Sequence, residues 1–132
     1  MMNSNPYATY KQQDLETCSK DELVGKLFGA AALSLKMAVL DIGEKRLDKA
    51  NSDMIKAQTI VLNLKNSLDM RYEVSNGLNM LYDYMLRRLV DANVKKDTEI
   101  LNEISGILFE LRDTWNEAVK KARTAPNAEG AV

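Results

Sequence analysis

The chain has 132 residues, of which 45% are hydrophobic, and its net charge is −1. This is enough for one domain with one modest core, and without a basic excess we expect no nucleic-acid partner. The sequence has no histidine, which excludes histidine phosphotransfer, serine–histidine and cysteine–histidine catalysis, and the Glu-x-x-His di-iron site of some helical bundles. It also has no glycine-rich phosphate loop, so we expect neither an enzyme nor a cofactor or metal site. The single cysteine, Cys18, excludes an internal disulfide and is typical of a reducing cytoplasm.

The first 18 residues are polar and precede the first helix signal. They lack the apolar core of a signal peptide. Tyr7 and Tyr10 lie three residues apart in this stretch, within the segment Asn-Pro-Tyr-Ala-Thr-Tyr. Because a free tail gains nothing from aromatic rings, we predict that residues 1–18 form a mobile arm. The two tyrosines would anchor this arm on its own domain, from which it can be lifted.

The first predicted helix covers residues 20–43. Ser19 and Glu22 have the spacing of a capping box, and Gly43 is a plausible stop. Between them runs an apolar stripe in alternating steps of four and three, which marks one helix face; it consists of Val24, Phe28, Ala31, Leu35, Ala38 and Ile42. The apolar run over residues 27–40 is too short to cross a bilayer and contains Lys36, so we predict no membrane insertion.

Three further helices are predicted at residues 48–70, 75–95 and 98–123 from stripes of the same kind. The stripes are Ala50, Met54, Ala57, Val61, Leu64 and Leu68; then Leu78, Tyr82, Met85, Leu89 and Ala92; then Leu101, Ile104, Leu108, Leu111, Trp115 and Ala118. Short links between helices of similar length make neighbours antiparallel. The predicted fold is all-α, an antiparallel up-down four-helix bundle over residues 19–123 with a mobile N-terminal arm and a disordered tail at residues 124–132.

The first helix carries more apolar surface than a bundle needs. Lys26, Gly29, Leu33, Lys36 and Leu40 form a stripe away from the main seam, where a bundle helix is normally polar. The two leucines are either flank residues covered by neighbouring helices or part of a groove that takes the arm or a partner segment. Glycine in this helix would be explained if another backbone came close.

Several motifs, in this order, resemble those of the flagellar secretion chaperone family FliS nearly end to end. They are Asn5-Pro6-Tyr7 with Tyr10, Asp21-Glu22-Leu23 with Leu27-Phe28, Lys56-Ala57-Gln58, Ser67-Leu68, Leu81-Tyr82-Asp83-Tyr84-Met85 with Arg87-Arg88-Leu89, Ala92-Asn93, Asp97, and Arg112-Asp113 with Trp115. The resemblance implies a cytoplasmic chaperone that holds the C-terminal segment of new flagellin, blocks premature polymerisation and aids delivery to the export gate protein. It also implies that the arm with Tyr7 and Tyr10 covers the client surface when idle and takes part in docking at the export gate.

Geometry and resemblance together give a set of candidate residues for binding the client or the arm. They are Tyr7, Tyr10, Leu27, Phe28, Leu33, Leu40, Ile55, Leu62, Tyr82, Met85 and Arg88. We expect Tyr82 and Met85 to lie at least partly in the core. The alternative function is a structural or adaptor bundle that self-associates through the stripe on the first helix; the chaperone itself is expected to be a monomer or a weak homodimer.

Overall fold

The computed structural model describes residues 19–124, which contain four helices and no strand. The helices are α1 (Lys20–Gly43), α2 (Leu47–Asn66), α3 (Glu73–Lys95) and α4 (Thr98–Thr124). Each packs against its neighbours in an antiparallel four-helix bundle, so the predicted fold class is confirmed. The predicted arm at residues 1–18 and the tail beyond residue 124 lie outside the described residues.

The helix ends follow from local hydrogen bonds. The hydroxyl of Ser19 accepts from the backbone N–H of Glu22 at 3.2 Å, as its capping position requires. The link after α1 is turned by Lys45, with φ of 62°, whereas Gly43 does not have positive φ. Gly43 therefore ends α1 without serving as the left-handed stop that its position suggested.

Helix α2 ends at Asn66, four residues before the predicted end at residue 70, because the chain turns over residues 67–72. The Ser67 hydroxyl donates to the carbonyl of Leu64 at 2.9 Å and satisfies a carbonyl of the last turn. The Asp69 carboxylate then accepts from the backbone N–H and the guanidinium of Arg71 at 3.1 Å and 3.0 Å. These local bonds compete with further helix, and α3 begins at Glu73 instead of residue 75.

The core lies along one face of each helix and contains most of the predicted seam residues. Six of the predicted residues are only partly buried against it, namely Val24, Ile42, Leu68, Leu78, Leu111 and Trp115, and the prediction for Ala118 is wrong because that residue is exposed. Its fully or nearly fully buried apolar members are Phe28, Ala31, Ala32, Leu35, Ala38, Ala50, Met54, Ala57, Val61, Leu64, Tyr82, Met85, Leu89, Ala92, Ile100, Leu101, Ile104 and Leu108. Helix α1 is the centre of the bundle, packed closely on both α2 and α4. Its many alanines permit this close approach, and the buried Ser105 hydroxyl donates to the Ala32 carbonyl at 3.0 Å.

Gly25 and Gly29 of α1 lie beneath side chains of another helix of the bundle. A Cβ at Gly25 would overlap the side chain of Asn116, and one at Gly29 would lie 3.2 Å from Cδ of Arg112. Both neighbours belong to α4. The interpretation that these glycines leave room for another backbone is therefore wrong, because side chains of α4 fill the space.

Helix α1 is long and apolar enough to cross a membrane by length and composition alone. The core helix of a bundle passes the same test, and α1 buries Phe28 and Leu35 against the other helices. It also buries Asp41, whose Oδ1 accepts from the guanidinium of Arg46 at 2.7 Å. The burial of Phe28 and Leu35 accounts for the apolar character of α1 within the bundle.

Candidate binding site

The outer face of α1 carries an exposed apolar stripe, which we call the α1 stripe and define as Leu33, Met37 and Leu40. Leu33 is 57% exposed and Leu40 is 58% exposed. The neighbouring helices therefore do not cover the two leucines, which rejects the flank-residue alternative. Lys36 borders the stripe and donates from Nζ to Oδ1 of Asn102 on α4 at 3.1 Å.

A second apolar surface lies between α2 and α3, in an open groove of about 530 Å³ that we call the α2–α3 groove. It is lined by Asn51, Ile55, Gln58, Val90, Asn93, Val94 and Lys96. At one end the Asn93 amide donates to Oδ1 of Asn51 at 2.7 Å and joins the two helices. Ile55, Val90 and Val94 are the apolar residues of the groove, and Val90 and Val94 are accessible, with 54% and 80% exposure.

A third surface lies at the end of the bundle where α1 begins, in a pocket of about 240 Å³ that we call the end pocket. It is lined by Val24, Leu64, Ser67, Leu68, Asp69, Tyr72, Val74, Ser75, Leu78, Tyr82 and Trp115. Its walls are fixed by hydrogen bonds, since the Trp115 indole donates to the Asp21 carbonyl at 2.7 Å and the Ser75 hydroxyl to the Asp69 carbonyl at 2.6 Å.

Three of the candidate binding residues belong to the core, as we expected for Tyr82 and Met85. Phe28, Tyr82 and Met85 are at most 2% exposed, and the Phe28 ring packs on Tyr82 with centroids 6.4 Å apart. Burial raises the pKa of Tyr82 to about 12. Tyr82 nevertheless lines the end pocket, and Leu27 is partly buried against the core. Phe28 and Met85 thus position helices and offer no exposed surface to a partner.

Arg88 joins α3 to α4. Its Nη2 lies 3.3 Å from Oε1 of Glu103, and the Tyr84 hydroxyl donates to Oε2 of the same carboxylate at 2.5 Å. The bond from Tyr84 is the main cause that lowers the pKa of Glu103. Tyr84 and Arg88 of the Tyr-Asp-Tyr-Met-Leu-Arg-Arg motif therefore bridge α3 and α4 through Glu103. Arg88 lies in this polar cluster and not on an apolar surface.

Leu33 and Leu40 share one surface, while Ile55 and Leu62 lie on another. The α2 face that carries Ile55 points toward α3, as the Asn51–Asn93 bond requires. The face toward α1 carries Asp53, whose Oδ1 accepts from Lys49 at 2.8 Å. Tyr7 and Tyr10 lie outside the described residues.

Sequence reasoning missed the α3 side of the groove, Val90 and Val94, and the exposed rim of the end pocket, Tyr72 and Val74. The signal for the valines was their spacing of four on a helix whose core stripe already runs through Leu89 and Ala92. The rim residues gave no periodic signal because they lie at a helix start.

Among residues 19–124, no three cysteine or acidic side chains come together as ligands for a metal ion. The three surfaces combine apolar side chains with polar borders.

Comparisons with known proteins agree with the motifs. Residues 3–122 match the model of the family described as flagellar protein FliS. The chain is 33% identical over 132 residues to the flagellar secretion chaperone FliS of Bacillus subtilis, a match that covers 100% of this chain and 99% of that protein. It is 30% identical over 129 residues to the protein of the same name from Salmonella typhimurium, covering 92% and 96% of the two chains. The chain belongs to the FliS family of flagellar secretion chaperones.

Proposed function

We propose that this protein is a cytosolic export chaperone that binds the C-terminal segment of flagellin. The observation that carries the proposal is that large apolar side chains stay exposed on two faces of a bundle whose core is already complete. Exposed apolar surface of this kind marks binding sites for other proteins. No part of the proposed activity is enzymatic.

The α2–α3 groove suits an amphipathic helix of the client. Along α2 the groove runs from Asn51 to Gln58, about 10 Å of helix. A client helix of about seven residues would lie along this length. Ile55 and Val90 would contact its apolar face, as in other helix-in-groove complexes.

The α1 stripe would bind a different part of the client, because the polar side of α2 separates it from the groove. A client that reaches both surfaces must wrap around the bundle. An apolar segment that is disordered when free can do this, although it loses conformational entropy on binding and so binds less tightly per unit area.

Occupying both surfaces would also prevent premature polymerisation, since the apolar residues that flagellin uses between subunits would be covered. Release at the export gate requires that the complex be reversible. The predicted arm supports this requirement, because a surface that Tyr7 and Tyr10 cover part of the time has a proportionally lower apparent affinity.

Calorimetric titration of a flagellin C-terminal peptide into the full chain tests the proposal. We expect a one-to-one complex, weakened at least about tenfold by Ile55→Lys with Val90→Lys, and by Leu33→Lys with Leu40→Lys, because each pair of charges would be buried. Met80→Lys is the matched control, since Met80 is 73% exposed but lies on neither surface. No complex at tens of micromolar, or equal weakening by all three variants, would reject the proposal.

The alternative function is self-association through the α1 stripe, and the exposure of Leu33 and Leu40 supports it as well. Sedimentation of the free protein separates the two functions. Dimerisation that rises with concentration, disappears in Leu33→Lys with Leu40→Lys and is accompanied by no peptide binding would favour the adaptor.

A further inference from the structure

Two carboxyl groups are buried where the end of α1 packs against the first half of α2. Asp41 of α1 and Asp53 of α2 are 2% and 8% exposed. Nζ of Lys49 lies 2.8 Å from Oδ1 of Asp53 and 3.5 Å from Oδ2 of Asp41. Because one ammonium group lies close to both carboxyl groups, the two face each other across the contact between the helices. We call Asp41 and Asp53 the aspartate pair.

Each member of the aspartate pair has one oxygen without a hydrogen-bond partner. Oδ1 of Asp41 accepts from Nε and Nη2 of Arg46 at 3.0 Å and 2.7 Å, and Oδ1 of Asp53 accepts from Lys49. The Oδ2 atoms of Asp41 and Asp53 are both buried, and neither has a partner in the described part of the chain, residues 19–124. At 3.5 Å, Lys49 is too far from Oδ2 of Asp41 for a well-formed hydrogen bond. A buried oxygen left in this way destabilises the folded state.

The charges around the aspartate pair leave room for a proton. Arg46 also binds Glu44, with Nη1 2.8 Å from Oε1. Three carboxyl groups therefore share two cations, Arg46 and Lys49, which are the charged groups that face the pair. One carboxyl group can hold a proton without leaving a cation unpaired. Since Glu44 is exposed and the aspartate pair is buried, burial favours the neutral acid within the pair.

The other elements near the pair direct their charged groups elsewhere. At the start of α4, which packs on α1, the Asp97 carboxylate accepts from the backbone N–H groups of Glu99 and Ile100 at 2.9 Å and 3.3 Å. After α3, which packs on α2, Lys96 donates to the carbonyl and the side-chain oxygen of Asn93. Within residues 19–124, no charged group of α3 or α4 is hydrogen-bonded or ion-paired to the aspartate pair.

We propose that Asp41 and Asp53 share one proton, with the carboxylic acid of Asp53 donating from Oδ2 to Oδ2 of the ionised Asp41. One hydrogen bond then satisfies both unpaired oxygens and joins α1 to α2. The electrostatics support this division of charge. The hydrogen bond with Asp53 is the main cause that lowers the pKa of Asp41, whereas burial, followed by Asp41, raises the pKa of Asp53.

The shared proton makes the contact between α1 and α2 sensitive to pH. The contribution of Asp41 to stability is present above its unfolded pKa and lost as pH falls through its lowered folded pKa. The contribution of Asp53 is present below its unfolded pKa and lost as pH rises through its raised folded pKa. One proton is held between the two folded pKa values. Above the higher value it passes to the solvent and leaves two like charges in contact.

The contact joins the helices that carry two of the apolar surfaces. Leu40 of the α1 stripe directly precedes Asp41, and Asn51 of the α2–α3 groove lies two residues before Asp53. The shared proton therefore holds the end of α1 against α2 and fixes the position of the α1 stripe relative to the groove. This contact is internal to the bundle and stands whether or not flagellin is the client.

Carbon-13 NMR of the full chain, labelled at the side-chain carboxyl carbon of aspartate, tests the shared proton. We expect Asp53 to titrate above the ordinary aspartate range and Asp41 below it. In Asp41→Asn, the titration of Asp53 should move toward the ordinary range, because the negative charge that accepts the proton is gone. Asp48→Asn, which removes an exposed carboxyl group of α2, is the matched control and should leave both titrations unchanged. Ionisation of both residues within the ordinary range, or an Asp53 titration that Asp41→Asn does not move, would overturn the proposal.

Amide hydrogen exchange tests the structural consequence. In the wild type, protection of the amides around Asp41 and Lys49 should fall as pH rises through the Asp53 titration, while protection around Phe28, near the opposite end of α1, is maintained. The fall should be absent in Asp53→Asn, whose side-chain amide donates to Asp41 at every pH, and unchanged in Asp48→Asn. The same fall in wild type and Asp53→Asn, or no fall in the wild type, would contradict the proposal. Neither experiment requires a client, so their failure is separate from failure of the peptide titration.

Discussion

Around Ala32 and Ser105, helices α1 and α4 meet in a closed seam, whereas α2 and α3 meet along an open groove. At the seam the contacting residues are small, as at Ala32 and Ser105, where the Ser105 hydroxyl reaches the Ala32 carbonyl at 3.0 Å. At the groove the neighbours are branched, as at Ile55 and Val90, and they are held apart with their outer edges exposed. Side-chain size at the contact thus decides whether two helices close against each other or leave a surface that a partner can bind.

The difference separates two roles in one small bundle. The seam supplies stability, since its residues lose nearly all contact with water. The groove and the α1 stripe contribute less stability but leave apolar area for binding.

Leu35 and Leu33 are the same residue type two positions apart on α1, with 0% and 57% exposure. Leu35→Ala should lower the free energy of unfolding by about 2–5 kcal/mol, because it leaves a cavity in the core. Leu33→Ala should change it by less than about 0.5 kcal/mol. Urea unfolding measures both, and similar losses in the two variants would contradict the assignment of Leu33 to an exposed surface.

Gly106 and Gly25 are both helical, but only Gly25 lies beneath a neighbouring side chain. Nothing lies within 4 Å of a Cβ built at Gly106, so Gly106→Ala should raise the free energy of unfolding by about 1 kcal/mol. Gly25→Ala should raise the free energy of unfolding by less than this, or lower it, because the side chain of Asn116 has to move. Thermal unfolding measures the difference, and an equal gain at both sites would mean that the seam is looser than described.

Asp53 and Asp69 should change stability with pH in opposite directions. Burial, followed by the neighbouring Asp41, raises the pKa of Asp53, so its contribution is present below its unfolded pKa and lost as pH rises through its folded pKa. Hydrogen bonds from Arg71 lower the pKa of Asp69, so its contribution is present above its unfolded pKa and lost as pH falls through its folded pKa.

Relative to wild type, Asp53→Asn should therefore gain stability as pH rises, and Asp69→Asn should lose it. Both effects are expected to be smaller than those above, because Asp53 keeps Lys49 beside it and Asp69 is partly exposed. Urea midpoints from roughly pH 3 to 8 measure them, and shifts of the same sign would show that Asp53 does not carry the raised pKa.

The helices and the core could be read from the sequence because burial repeats with the helix period. Phe28, Leu35, Met85 and Leu108 all lie where their stripes place them. The position of Leu33 and Leu40 away from the seam also followed from this geometry, since the sector opposite a seam faces away from the core. Only the structure showed that neighbouring helices leave the two leucines uncovered.

The remaining features of the fold and the candidate site depend on which helices meet. The apolar stripe of a single helix does not encode that pairing. Gly25 suggested an external backbone, but the antiparallel pairing brings Asn116 of α4 to that position. Val90 became part of a groove only because α2 places Ile55 opposite it. The end of α2 was missed because local bonds of Ser67 and Asp69 outweigh the apolar signal of Leu68 and Met70.

Methyl NMR of the labelled protein during titration with a flagellin C-terminal peptide tests the central claim most directly. The account predicts saturable shift changes at methyl groups of the groove and the α1 stripe, which are Ile55, Val90, Val94, Leu33 and Leu40. The seam methyls of Leu35, Ile104 and Leu108 should stay within the noise. Larger changes at the seam than at the two surfaces, or no saturable change at either surface, would contradict the account.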